Sequence, residues 1–469
     1  MPIMGTINNH NQAKISIRGS SCTITGIPSD INTRLEKEFS YSVKNIEYTD
    51  AYQSGQWDGI HFLYTNRRFP IGLIKPISDI LKDCEIDVTV YDHRQLGKKF
   101  DFPLQAPENL TLRPYQEEIV TLAIQNKACS VQLATGGGKT LMVAEYIRRL
   151  GLKTLFIVTS IEILKQTADR LEDYLGFPIG IVGDKQRDFD HITVSTWQSL
   201  KTTDQDYFNS VDCLVIDEAQ HIGASVLRKI AYEISATYRL GMSGTLFRED
   251  GADLEIIGAT GPIIKKIGYS ELIKAGYLVP AKIETIRMSY PRTYRFQTYK
   301  DIYDEIVLNN PKRDQEIITI ANDLIEQGKK VLIFVSRIAH GHKLASMAHD
   351  SKFIYASHPD RDQLLADFSS GKIKCLISTS ILDEGYDLPI IDAVILAAPS
   401  KSLVKTIQRI GRALRPFPGK KDALIVDVAD DSRYLWDHFQ RRLKRYHEEN
   451  LWVVNKILGP KKDPNDEWG

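Results

Sequence analysis

Ser130-Val-Gln-Leu-Ala-Thr-Gly-Gly-Gly-Lys-Thr-Leu-Met-Val-Ala-Glu145 runs from an apolar stretch, through three consecutive glycines, into an amphipathic one. Such a strand, glycine turn and helix in series is the opening of a βα unit, and the pattern continues on its C-terminal side. Apolar runs recur at 154–158, 192–194 and 213–216, with amphipathic segments at 142–149 and 162–175 between them. Strands that show no polar alternation and are joined by helices indicate a parallel sheet covered on both faces. After about residue 280 the pattern repeats, at 331–335, 375–378, 393–397 and 423–426. Two α/β domains in tandem follow.

Upstream, residues 1–108 mix short alternating stretches (14–18, 86–91) with a helix-like segment at 31–39, which reads as a small α+β domain. Two prolines in Phe102-Pro-Leu-Gln-Ala-Pro107 disfavour both helix and central strand, so this is a linker. The expected domains are 1–108, 109–280 and 281–455, with a tail at 456–469. A chain of 469 residues has room for them, at ~100–200 residues per domain.

With 42% hydrophobic and 26% charged residues, the composition is that of a soluble globular protein, and no stretch reaches the ~18 apolar residues that span a bilayer. The start lacks the basic flank and apolar core of a secretory signal, so the expected location is cytoplasmic. The five cysteines are scattered and never in a C-x-x-C pair, which indicates neither disulfides nor a zinc or iron–sulfur site. Basic and acidic residues number 60 each, so any nucleic-acid surface must be a local patch.

Glycines between a strand and a helix let backbone N–H groups wrap phosphates, and the helix N-terminus adds partial positive charge. Thr135, Gly136, Gly137, Gly138, Lys139 and Thr140 form that loop, with Lys139 suited to the β and γ phosphates and the Thr140 hydroxyl to Mg²⁺. Leu133 stands where the strict pattern has its first glycine, and a plain glycine turn is the other reading. About eighty residues on, Leu214-Val-Ile-Asp217-Glu218-Ala-Gln-His221 ends a buried strand with two carboxylates. Strand C-termini of parallel sheets face the ligand crevice. There Asp217 would hold the metal shell and Glu218 the attacking water; an acidic strand end is also a common surface feature. Upstream, Arg113-Pro-Tyr-Gln116 brings a glutamine amide able to match an adenine edge, with Arg113 assisting, or else an ordinary proline-led helix start.

In the second α/β domain, Gln408-Arg409-Ile-Gly-Arg412-Ala-Leu-Arg415 sets two guanidinium groups on one face if the segment is helical. A solvated basic helix is the bland alternative. The stretch from Ser378 through Thr379 to Gly385 and Asp387 follows a buried strand with hydroxyls, glycine and carboxylates, suited to nucleic-acid phosphate and to a ribose.

Taken in order, this set resembles the superfamily-two helicases over roughly residues 109–430. The resemblance implies two RecA-like parallel-sheet motor domains with ATP between them, Mg²⁺ as cofactor, and nucleic acid running across both. It gives Gln116 to adenine, residues 135–140 to phosphate, and Asp217 and Glu218 to hydrolysis. Gly385 and Asp387 go to the nucleotide, and Gln408, Arg412 and Arg415 to catalysis. Gly241-Met-Ser243-Gly-Thr245 is similar to the family's coupling motif, with Thr196 and Thr379 on the nucleic-acid side.

Arg248, Glu249 and Asp250 resemble the Arg-Glu-Asp element of XPB-like helicases, implicated in duplex separation. Tyr52-Gln-Ser-Gly-Gln-Trp57-Asp58-Gly59, running on through Arg67 and Arg68 to Leu73, is similar to the N-terminal domain of UvsW-type phage helicases, which remodel branched DNA and RNA–DNA hybrids. Trp57, Tyr64, Arg67 and Arg68 combine stacking and phosphate-binding types; alternatively Trp57, Phe62 and Phe69 form a small core and Asp58 caps a turn. Residues 292–300 and the basic helix around 441–446 are further candidate DNA contacts. The reading is a monomeric ATP-dependent DNA helicase acting in branch migration, fork regression and R-loop unwinding, placed in the host cytoplasm if phage-encoded. Two others stand beside it: the motor subunit of a restriction system, for which the remaining sequence offers no nuclease constellation, and a DNA-binding scaffold without turnover.

Overall fold

The computed structural model describes residues 12–43, 46, 50–101, 111–223, 225–246, 253–290, 298–383, 388–398 and 402–455. The linker at 102–107, the triplet Arg248, Glu249 and Asp250, the pair Gly385 and Asp387, residues 292–297 and the tail lie outside them. The chain divides into two compact units: residues 1–133 with 138–267, and 268–469 with Ala134–Gly137.

The first unit begins with a four-stranded sheet in the order Arg68–Pro70, Ser21–Thr25, Gln12–Arg18, Asp87–Asp92. Every second residue of Gln12–Arg18 points inward, so Ala13, Ile15 and Ile17 meet Leu35, Ile77 and Leu81 of two covering helices, Ser29–Glu38 and Ile74–Asp83. Asn66 and Arg67 both take positive φ, 50° and 61°, and Thr65 and Arg68 exchange backbone hydrogen bonds of 3.0 and 2.9 Å around them. That is a two-residue hairpin turn, which asks both central residues to be left-handed. A separate ribbon pairs Ser40–Ser42 with Ile60–Phe62.

The larger sheet has eight strands in the order Gln186–Arg187, Gly180–Gly183, Ile192–Thr196, Thr154–Val158, Cys213–Ile216, Tyr238–Ser243, Ala128–Leu133, Ile263–Ile267. All pair in parallel except the first. Thr154–Val158, Ile192–Thr196 and Cys213–Ile216 are buried at every position, as the unbroken apolar runs require. Three adjacent strands, Cys213–Ile216, Tyr238–Ser243 and Ala128–Leu133, are in register through Ile216↔Gly241 and Ser243↔Gln132. Their carboxyl ends therefore deliver Asp217, Ser243 and the glycine loop to one edge. The small domain docks closely on this sheet's helices: a methyl group at Gly72 would sit 1.9 Å from the Ile257 carbonyl oxygen.

The second unit carries a seven-stranded, wholly parallel sheet in the order Ser351–Ile354, Cys375–Ser378, Val331–Phe334, Ala393–Leu396, Ala423–Asp431, Ala281–Ser289, Val453–Val454. The C-terminal helix Arg433–Glu448 buries Leu435, Phe439 and Tyr446, as its amphipathic pattern requires. Its expected basic face is only partly basic, because Arg442 forms a bidentate pair with buried Asp427 (2.9 and 2.8 Å) and Arg445 bonds Glu448 and Glu449.

Arg239, fully buried on Tyr238–Ser243, has backbone carbonyls as its hydrogen-bond acceptors: Ala231 (3.0 Å), Ala259 (2.8 Å), Ala236 (3.3 Å) and Ile234. Ala231 and Ile234 lie at the end of helix Ser225–Glu233, and Ala259 at the end of helix Asp253–Thr260, where carbonyls have no intrahelical donor. Arg239→Met removes donors from all of these, so we expect a loss of about 3 kcal/mol, read as a lower midpoint in thermal unfolding.

Candidate nucleotide site

Gly136 and Gly138 take φ of 86° and 75°, a left-handed backbone that only glycine adopts without strain. The Gly137 N–H donates to the Ala134 carbonyl at 3.0 Å, closing the turn, and Gly138 then caps helix Lys139–Leu150. The Gly138 carbonyl accepts from Gln116 Nε2 at 3.1 Å, and a methyl group there would meet that nitrogen at 2.5 Å. Gln116 is itself buried, and its Oε1 accepts from the Arg113 backbone N–H at 2.8 Å. The amide assigned from sequence to an adenine edge thus commits its oxygen and one N–H to bracing the loop against helix Pro114–Asn126. Arg113 donates to the Tyr115 hydroxyl at 3.0 Å.

Asp217 and Glu218 follow strand Cys213–Ile216 directly, and Glu218 has a φ of 49°, costly for a side chain with a Cβ. Lys139 Nζ lies 3.1 Å from Glu218 Oε1 and 3.6 Å from Asp217 Oδ1. The far oxygen of Glu218 accepts from Gln220 Nε2 at 2.7 Å and lies 3.5 Å from Ser243 Oγ. Ser243 also donates to the Thr245 carbonyl and accepts from its N–H, 2.8 and 2.9 Å, so the turn after the strand hangs on the same hydroxyl. Burial pushes the Glu218 carboxyl up. The Lys139 charge, with hydrogen bonds from Gln220 and Lys139, outweighs it and holds the group below the ordinary glutamate range. Unit charges 4 Å apart attract by about 4 kcal/mol at an effective dielectric of about 20, which is the scale needed.

Residues 109–248 match the family described as type III restriction enzyme, res subunit, and residues 315–416 match the helicase conserved C-terminal domain. The ATP-dependent DNA helicase uvsW of Enterobacteria phage T4 is 25% identical over 477 residues, covering 90% of this chain and 94% of that protein. The DNA 3'-5' translocase XPB2 of Sulfurisphaera tokodaii is 24% identical over 428 residues, covering 82% and 95%. The chain belongs to the superfamily-two helicases. Among solved structures, the ATP-dependent type ISP restriction-modification enzyme LlaBIII bound to DNA shares the fold, with a TM-score of 0.59 at 15% identity over 84% of this chain and 34% of that one.

In this helicase the first unit gathers Gln116, Gly138, Lys139, Asp217, Glu218 and Ser243 along one sheet edge. Thr196 is buried at the end of its own strand, bonded to Ser199 at 2.9 Å. In the second unit, helix Leu403–Ala413 carries buried Gln408 and Arg412. It ends before Arg415, so the two guanidinium groups do not share a helical face. Thr379, half-buried, follows strand Cys375–Ser378.

Of the N-terminal candidates, Arg68 is exposed, while Arg67 is half-buried and donates to the Ile27 carbonyl at 3.2 Å. Tyr64 is not a stacking platform: its ring is fully buried and its hydroxyl bonds Asn32 at 2.9 Å. Phe69 is core but Phe62 is exposed. Asp58 caps a turn by accepting from the Ile60 N–H at 3.0 Å, and Trp57 Nε1 donates to the Ile60 carbonyl at 2.8 Å. Gln220, two residues beyond Glu218, carries no role in the sequence pattern and gains one only through its bond to that carboxylate. Among the described residues, no helix is long and apolar enough to cross a membrane.

In Lys139→Met the burial of Glu218 acts with much less opposition. Carboxyl NMR titration is expected to show its pKa below the ordinary range in the parent and clearly raised in the variant.

Proposed function

We propose that this helicase is a DNA translocase that remodels branched DNA, by branch migration and fork regression, and that it unwinds RNA–DNA hybrids in R-loops. One observation carries this reading. The likeness to uvsW covers 90% of the chain, more than residues 109–469 alone make up, so it reaches into the N-terminal domain. That relative and XPB2 are both named as acting on DNA. Exposed Arg68, and Trp57 on its braced turn, supply phosphate-binding and stacking chemistry.

In this reading Lys139 neutralises the β and γ phosphates, Asp217 and the Thr140 hydroxyl hold Mg²⁺, and Glu218 takes a proton from the attacking water. The donor set suits magnesium, which binds through one or two protein oxygens plus substrate phosphates. When bound, the ion offsets phosphate charge. Before nucleotide binds, the Lys139 charge and the Gln220 hydrogen bond keep Glu218 ionised, the form a base requires. Arg412 and Arg415 stabilise phosphate charge during transfer, with Gln408 beside them; Gly385 and Asp387 contact the nucleotide. Thr196, Thr379, Arg67 and the triplet Arg248, Glu249 and Asp250 belong to the nucleic-acid side. The proposed domains are 1–108, 109–280 and 281–455, with a tail from 456, acting as a monomer in the cytoplasm.

The restriction-family match over 109–248 supports a second reading, the motor of a restriction system. Metal-dependent duplex cleavage by the purified protein would favour it.

ATPase and strand-displacement assays on single-stranded, duplex, forked, four-way and RNA–DNA hybrid substrates are expected to give the strongest response on branched forms. Lys139→Ala and Glu218→Gln should each lower turnover by about 10²-fold or more while DNA binding persists. Unchanged turnover in both would refute the site; ATPase activity that never moves a junction would refute branch migration.

A further inference from the structure

Helix Asp253–Thr260 is gripped at both ends, and the two grips belong to different parts of the first unit. Near its start, Glu255 is fully buried. From the N-terminal domain it accepts from the Tyr41 hydroxyl at 3.0 Å and contacts His61 Nε2 at 2.9 Å; from the motor domain it accepts from Arg228 at 3.0 Å and the Tyr232 hydroxyl at 2.8 Å. Burial pushes its carboxyl up, but hydrogen bonds from His61 and Tyr232 and the Arg228 charge hold it below the ordinary range. It is therefore an acceptor-only carboxylate, the form that can serve four donors.

Tyr41 and His61 face each other across the Ser40–Ser42 and Ile60–Phe62 ribbon. Ile60 carries both bonds that brace the Trp57 and Asp58 turn, and the Gly59 carbonyl accepts from the Val43 N–H at 2.9 Å. The turn braced on Ile60 is thus joined through the next residue, His61, to Glu255.

At the other end, Thr260 Oγ1 lies 2.8 Å from Ser130 Oγ, on the strand that leads into the glycine loop. A methyl group on Gly241, in the strand that ends at Ser243, would meet Thr260 Oγ1 at 2.6 Å. The helix end is seated against both strands that deliver the nucleotide site. An interlocked helix packed between two sites is a physical route for coupling them.

Resting on the motor reading above, we propose that helix Asp253–Thr260 is a strut that carries DNA engagement at the N-terminal domain to the ATP site, with Glu255 as the positioning residue at one end and Thr260 at the other. DNA bound near Trp57 shifts the ribbon, the ribbon pulls on Glu255, and Thr260 changes its seat on the loop-bearing strand.

The test uses the full chain and a forked DNA oligonucleotide. Tyr41→Phe combined with His61→Ala removes the N-terminal-domain donors and leaves Arg228 and Tyr232 on Glu255. We expect DNA-free turnover and the KM for ATP to hold and the thermal midpoint to fall modestly, as loss of two donors from a buried carboxylate requires, while fork-stimulated kcat falls about fivefold or more. His61→Gln, which keeps a donor, should restore most of the stimulation in the Tyr41→Phe background. Full stimulation in the double variant overturns the strut alone. A fall in DNA-free turnover matching the loss of stimulation also overturns it, since that marks a merely structural contact. A parent enzyme that no DNA stimulates overturns the motor reading, and the strut with it.

Discussion

The ammonium of Lys139, lying between the carboxylates of Asp217 and Glu218, is the interaction around which the first unit is organised. It draws on two strands separated in the sheet by a third, so it requires all three to end level, and the parallel register provides this. It also requires a residue held in a left-handed backbone, which Glu218 accepts despite its Cβ. Gln220 and the loop-bracing Gln116 then fix what would otherwise be a flexible lysine opposite a strained acid. A buried carboxylate with no partner would be protonated and useless as a base; this one is kept charged by its neighbours.

Much of this was legible in the residues. Buried parallel strands announce themselves as unbroken apolar runs, and the expected strand positions in both large sheets are where strands occur, since burial on both faces leaves no other pattern. The glycine loop and the acidic strand end were equally visible, because backbone geometry and charge restrict residue type there. Partners were not visible. Nothing near Arg442 in the chain says that it will pair with Asp427 and not face solvent, and nothing near Tyr64 says that its hydroxyl has Asn32 waiting inside. Periodicity puts Arg415 on the face of a helix that in fact ends at Ala413, two residues before it.

The buried charges obey one logic in different settings. Arg239 satisfies carbonyls that two helix ends leave open, Asp427 satisfies Arg442 and Tyr446, and Asp430 satisfies Arg313. None is a surface ornament, and each ties an element to a central strand: helices Ser225–Glu233 and Asp253–Thr260 to Tyr238–Ser243, and helices Arg433–Glu448 and Pro311–Glu326 to Ala423–Asp431. Pairs of this kind do more for uniqueness of packing than for net stability, because their desolvation offsets most of their attraction.

The strand order of the second unit bears on how the protein is made. Ala281–Ser289 is the first strand of that sheet to be synthesised, yet its neighbours are Ala423–Asp431 and Val453–Val454, near the end of the chain. At a synthesis rate of roughly 5–20 residues per second, it waits on the order of ten seconds with both hydrogen-bonding edges open. In this interval a segment that will become an interior strand lacks both of its sheet partners, and unpaired strand-forming backbone is a template for pairing with another chain. Slow translation between the two strands would lengthen that exposure, so yield during expression should depend on codon choice over this stretch as well as on the stability of the finished fold.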